Sequence, residues 1–188
     1  MIKEIFTKIL FIGILLSASL VAETIEHSFQ SYSLIGVESG YSNIDVGNCT
    51  ATTDNQKLAF ANAGFKIGAQ ADEYRMFLSV RYYSIDTLEY IFTYGTEFQQ
   101  KYKLNEVINF FVGVNLGKAN LRISDSLGIE REIAEYYYGG DTGFNINLDD
   151  YADIELGARM IKINNVSNFN FENFITGYVG IILKYQMD

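Results

Sequence analysis

The sequence has no tryptophan and no proline, and among its 188 residues there is one cysteine and one histidine. Each scarcity excludes something. Proline cannot donate to a strand ladder, so its absence leaves every segment free to pair as a strand. One thiol closes no internal disulfide. That thiol, Cys49, sits among Gly, Asn and Thr and reads as a loop residue, with an intermolecular bridge as the sharper alternative. The lone histidine, His27, precedes the first strand-like segment, which leaves little for chemistry that needs an imidazole base. No metal-ligand cluster, phosphate loop or nucleophile–base pair is found, so no cofactor, no metal and no enzymatic activity are expected. Asp149 and Asp150 fall in a tight turn, where Asp bonds its own backbone. Positive charge is also scarce. Fourteen Lys and Arg stand against 23 Asp and Glu, a net charge of −9, which excludes nucleic acid as an expected partner.

Long apolar runs are missing after residue 22, and a spanning helix needs roughly 20 such residues. The first 22 residues read instead as a cleavable secretory signal. Lys3 and Lys8 form a basic start, Ile9 to Leu16 an apolar core, and Ser17 to Ala22 a small and apolar end with cleavage expected after Ala22. These residues carry a net +1 through Lys3, Lys8 and Glu4, so residues 23–188 carry −10. They form the one expected domain.

What is abundant is aromatic and alternating. There are 14 Tyr and 14 Phe, and apolar residues recur at every second position. Ile108, Phe110, Val112, Val114 and Leu116 make one face of a segment whose other face is Asn109, Phe111, Gly113, Asn115 and Gly117. Eight such segments are expected, over about 32–42, 58–69, 74–83, 88–102, 107–117, 135–148, 151–163 and 174–185. Gln70–Glu73, Lys103–Glu106 and Asp149–Asp150 read as tight turns. Asn43–Lys57, Lys118–Ala134 and Asn164–Asn173 read as long polar loops, and Ser84–Thr87 as a short link on the long-loop side. The pattern predicts an all-β, eight-stranded, antiparallel up-and-down barrel with both termini at the short-turn end.

Such a barrel can face its apolar residues inward, as a soluble ligand carrier does, or outward to lipid. The glycines favour the second. Gly36, Gly40, Gly64, Gly68, Gly95, Gly113, Gly117, Gly139, Gly143, Gly157 and Gly180 share the polar register, and only Gly140 and Gly177 share the apolar one. A narrow interior crowded with polar side chains needs missing side chains; a solvated face does not. The same register turns Glu38, Glu97, Glu135, Asp141, Asp153 and Glu155 inward with Lys66, Arg75, Arg81, Arg159 and Lys184. Buried charges must be paired, and this near-balance permits it. The expected interior ion-pair network is Glu38, Lys66, Arg75, Arg81, Glu97, Asp141, Glu155 and Arg159. Tyr74, Tyr82, Tyr90, Tyr102, Tyr136, Tyr138 and Tyr185 fall outward, many near strand ends, as an aromatic girdle at a membrane interface would.

The chain thus resembles the small outer-membrane β-barrel family, which includes the OmpA transmembrane domain, opacity-type adhesins and proteins called porin-family. Its last segment, Gly177-Tyr178-Val179-Gly180-Ile181-Ile182-Leu183-Lys184-Tyr185, looks like the C-terminal signal of that class, with Gln186, Met187 and Asp188 beyond the aromatic residue. The resemblance implies the outer membrane of a Gram-negative bacterium. It implies outer-membrane lipid and the barrel-assembly machinery as partners, the latter through the last strand. The expected role is structural or surface-interacting, with loops outside and a filled polar interior. The alternative is passive transport of small solutes through a gated, narrow barrel. A lipid-modifying enzyme dependent on His27 and a soluble secreted carrier of an apolar ligand are the remaining competitors.

Overall fold

The computed structural model describes residues 31–48, 56–84, 90–124, 130–164 and 169–186. The segment read as a signal, His27, Cys49 and the Ser84–Thr87 link beyond Ser84 lie outside these residues. Eight strands run in order: β1 Ser31–Asn48, β2 Gln56–Ala71, β3 Tyr74–Ser84, β4 Tyr90–Lys103, β5 Ile108–Ser124, β6 Glu130–Asn147, β7 Ala152–Ile163 and β8 Phe169–Gln186. Each pairs antiparallel with its sequence neighbours. β1 also pairs with β8, from Tyr32↔Gln186 to Asn48↔Phe169, which closes the barrel and leaves no free edge.

Three tight connections lie at one end, beside Ser31 and Gln186. In the first, Asp72 adopts φ 49°, a conformation that Asp tolerates in turns. In the second, the side chain of Asn105 accepts from the amides of Val107 and Ile108 at 2.9 and 2.7 Å. In the third, Asp149 Oδ1 accepts from the amide of Tyr151 at 2.7 Å. Short polar side chains thus replace the ladder bonds that the chain gives up in turning.

Alternation is expressed as expected. β3 reads exposed and buried at strictly successive positions, with Tyr74, Met76, Leu78, Val80 and Tyr82 outward and Arg75, Phe77, Ser79, Arg81 and Tyr83 inward. On β5, Ile108 to Lys118 spans ten residue steps, which at about 3.3 Å each and a tilt of about 40° sets an apolar band of about 25 Å.

The strands outrun expectation at the opposite end. The segments read as long loops are largely hairpin: β1 continues to Asn48, β5 to Ser124, β6 begins at Glu130 and β8 at Phe169. The reason is a reversal of polarity without a change of register. On β5 the outward residues change from Val114 and Leu116 to Lys118, Asn120 and Arg122, while the inward ones change from Gly113 and Asn115 to Ala119 and Leu121. A sign change in the outward pattern mimics the end of a strand.

Candidate functional site

The distinctive chemistry lies inside the barrel, built from inward positions of β1, β2, β3, β4, β7 and β8. Near the tight-turn end, Lys184 Nζ donates to Asp153 Oδ1 at 2.6 Å and to the carbonyl of Asp149 at 3.0 Å. Asp153 also accepts from Arg75, whose Nε donates to Gln70 at 2.7 Å. The chain of pairs then climbs the barrel. Arg75 lies 3.7 Å from Glu155, Lys66 donates to Glu155 at 2.6 Å, and Lys66 reaches Glu38 at 3.5 Å. Glu38 is the hub: Arg81 Nε donates to it at 2.6 Å and Arg159 Nη1 at 2.8 Å. Glu97 closes the chain, accepting from Arg81 and lying 3.6 Å from Arg159. Arg75, Arg81 and Arg159 are among the largest fully buried side chains of the protein.

This arrangement has a physical logic. A charge without water costs several kcal/mol unless it is compensated. Here each cation touches a carboxylate, and each of the four carboxylates of the chain touches two or more cations. Aromatic faces complete the cage. Arg159 lies 4.4 Å from the centroid of Tyr178, and Lys66 lies 4.9 Å from that of Phe77. Tyr178 in turn donates to Glu155 at 3.1 Å. Its ring occupies the space over Gly157, where an added Cβ would stand 2.5 Å from the ring. The same device recurs higher up. Gly95 and Gly117 pair across β4 and β5 beneath Tyr137, whose hydroxyl would be 2.6 Å from a Cβ on Gly95.

Seven of the eight residues expected in the network are brought together, and the chain also contains Asp153 and Lys184. Asp141 is not part of it. It is buried and faces Arg159 in register, yet among the described residues no cation lies within ion-pair distance, and its bond is from Gln99 Nε2 at 2.9 Å. Asp141 Oδ1 instead packs over the bare backbone of Gly113. Position on a strand decided the register of Asp141, but side-chain length and direction decided its partner.

Two further features of the interior were not anticipated. Toward the long-loop end the ion pairs give way to an apolar layer: Ile44, Phe60, Tyr83, Ile91, Ala119, Leu121, Tyr137, Ile161, Ile163 and Phe174 form one buried cluster. Phe60, Tyr83 and Phe174 meet edge to face, with centroids 5.0 to 6.0 Å apart. The inward turn of apolar residues in 119–121 and 161–163 was the available signal. At the other end a polar vestibule of about 350 Å³ opens among the tight turns, lined by residues including Lys101, Lys184, Asn109 and Glu106.

The seven tyrosines expected in the girdle lie outside. Tyr74, Tyr102 and Tyr185 are exposed at the tight-turn end, and Tyr82, Tyr136 and Tyr138 at the long-loop end, with Tyr90 partly covered beside Tyr82. Tyr74 stacks on Phe98 and Tyr82 on Tyr90, with centroids 5.8 and 5.9 Å apart. Among the described residues, no group of three or more His, Cys, Asp or Glu is placed to hold a metal ion.

No protein-family model and no curated protein matches this sequence. Solved structures do match. Neisserial surface protein A aligns over 80% of this chain and 97% of its own, with a TM-score of 0.65 at 12% identity. Outer membrane protein H (OprH) from P. aeruginosa covers 82% and 99%, with a TM-score of 0.56 at 18% identity. The outer membrane protein OprG from Pseudomonas aeruginosa covers 86% and 98%, at 0.52 and 13%. At such identities the likeness concerns the fold, and closure, strand number and strand order agree with it. The fold of this chain is that of the small, eight-stranded outer-membrane β-barrels.

Proposed function

We propose that this chain is an integral outer-membrane barrel with a structural or surface-interaction role, acting through its long-loop end and conducting no general flux of solutes. The observation that carries this reading is the filled interior. Beneath the loops the lumen holds the apolar and aromatic layer, and below that a continuous chain of ion pairs. Eight strands leave an interior that side chains just fill. An outer apolar band of about 25 Å, bounded by tyrosines, supports a location in the membrane. In this reading residues 1–22 are removed after Ala22, outer-membrane lipid covers the band, and β8 engages the assembly machinery. Chemistry on a substrate has no support.

Planar-bilayer recording of the refolded protein tests the reading. Silence or rare, brief openings are expected, and a steady large conductance would overturn it. The polar vestibule favours one second reading, a gated passage for small solutes that opens only when the ion pairs rearrange. Replacing Arg75, Arg81 or Arg159 would then raise conductance in protein that remains folded. Folded variants that stay silent would end that alternative.

A further inference from the structure

Two glycines break the rule that governs the others. Gly140 and Gly177 face outward, where no crowding demands them. A Cβ on Gly177 would meet nothing within 4 Å, and one on Gly140 only the carbonyl of Gly113 at 3.3 Å. Around Gly140 the outer surface sinks into an apolar groove of about 660 Å³. Gly140 and Ala158 form its floor, Val112 stands on one side, and Met160 and Ile175 on the other. At its long-loop mouth lies the cross-strand pair Tyr138↔Lys162. From that pair to Thr142↔Ala158 is four residue steps, about 13 Å of strand.

Two cations face outward beside the groove's long-loop end, Lys118 on β5 and Lys162 on β7. They stand out on a chain whose net charge is −9. Lys162 is exposed, and Lys118 Nζ lies 5.0 Å over the ring of Tyr136, two positions from Tyr138 on β6. An apolar channel leading down from a cationic mouth fits an amphiphile with an anionic head. We propose that the groove holds one acyl chain of an anionic phospholipid, a lipid of net negative head-group charge, with the phosphate against Lys162. The inference rests on the membrane-spanning reading above.

The test uses the refolded full chain in vesicles of phosphatidylcholine containing phosphatidylglycerol. Flotation first reports insertion. Native mass spectrometry then counts the lipids retained per barrel. One retained phosphatidylglycerol is expected, preferred over phosphatidylcholine by about fivefold, the size of one lysine's attraction to an anionic surface. Lys162→Gln should erase the preference. Gly140→Leu, which fills the floor, should cut retention of both lipids about tenfold, whereas Ala63→Leu on the opposite side of the barrel should not. Failure of the wild-type chain to float overturns both the membrane reading and the groove. Flotation with no retained lipid, with equal retention of the two lipids, or with retention unchanged in Gly140→Leu overturns the groove alone. A dimer lost in Gly140→Leu would assign the groove to a second copy and overturn the lipid proposal.

Discussion

The two halves of the barrel interior share one register and differ in chemistry. The tight-turn half carries the ion pairs, running from Lys184 through Asp153, Arg75, Glu155 and Lys66 to Glu38, beside a small apolar cluster of Leu34, Phe77 and Ile182. The long-loop half is mainly apolar, centred on Phe60, Tyr83 and Phe174, with one hydrogen-bonded polar group of Asn62, Ser42 and Thr176. The outer surface changes in the opposite sense over the same stretch, from Val114 and Leu116 to Lys118 and Arg122. On β5 inside and outside thus exchange character at one level, whereas on β7 and β8 the outward Met160 and Ile175 stay apolar beside the buried Ile161 and Phe174. Where the outer wall is apolar, the polar residues are turned inward and must satisfy one another. Where the outward residues of β5 become polar, that strand follows the ordinary rule of apolar in and polar out.

The largest test of this contrast removes one member of the ionic half. Arg81→Met leaves Glu38 and Glu97 each short of a close partner and should cost about 3–5 kcal/mol. Urea unfolding in lipid vesicles, followed by gel mobility, measures it. A loss under about 1 kcal/mol would mean that water compensates the carboxylates and that the interior is wet. Next comes Phe60→Ala in the apolar half, expected to cost about 3 kcal/mol by the same assay. This variant also sharpens the functional reading. If the layer is the seal, brief bilayer openings become more frequent in Phe60→Ala and not in Tyr82→Leu, on the outside.

A smaller effect is expected where the halves adjoin. Gly157→Ala forces a methyl against the ring of Tyr178 and should destabilise by about 1–3 kcal/mol, whereas Gly177→Ala, with open space around it, should be nearly neutral. Equal effects at the two sites would contradict the crowded-interior account. The smallest effect concerns the outer wall. Tyr82→Leu removes one stacked ring beside Tyr90 and should cost about 1 kcal/mol or less.

Alternation made the fold legible. Ile35 and Val37 on β1, Leu78 and Val80 on β3 and Leu156 and Met160 on β7 stand outward as their spacing required, and Arg75, Arg81 and Arg159 stand inward. Strand ends were less legible. The stretch Lys118–Ser124 alternates as regularly as Ile108–Leu116, but with the apolar residues on the other face. A reading that follows the outward apolar stripe stops at Leu116. The interior site was legible as composition and not as pairing. Asp141 and Glu155 have the same charge and both point inward, yet Glu155 meets Lys66 and Arg75 while Asp141 meets Gln99.

By itself, the sequence determined which side of the wall each residue occupies, because the side-chain period of a strand is two and a ladder permits no intermediate setting. It determined three strand pairings as well, since the tight turns between β2 and β3, β4 and β5, and β6 and β7 bring those strands side by side. Tertiary structure decided the rest. Closing β1 onto β8 fixed how far each strand is staggered along the barrel. That stagger set which inward residues share a level: Arg81 of β3 and Arg159 of β7 beside Glu38 of β1, and Lys66 of β2 beside Glu155 of β7. These partners lie 43 to 121 positions apart in the chain. No local pattern carries a distance of that kind; only the closed circumference brings the charges to one height.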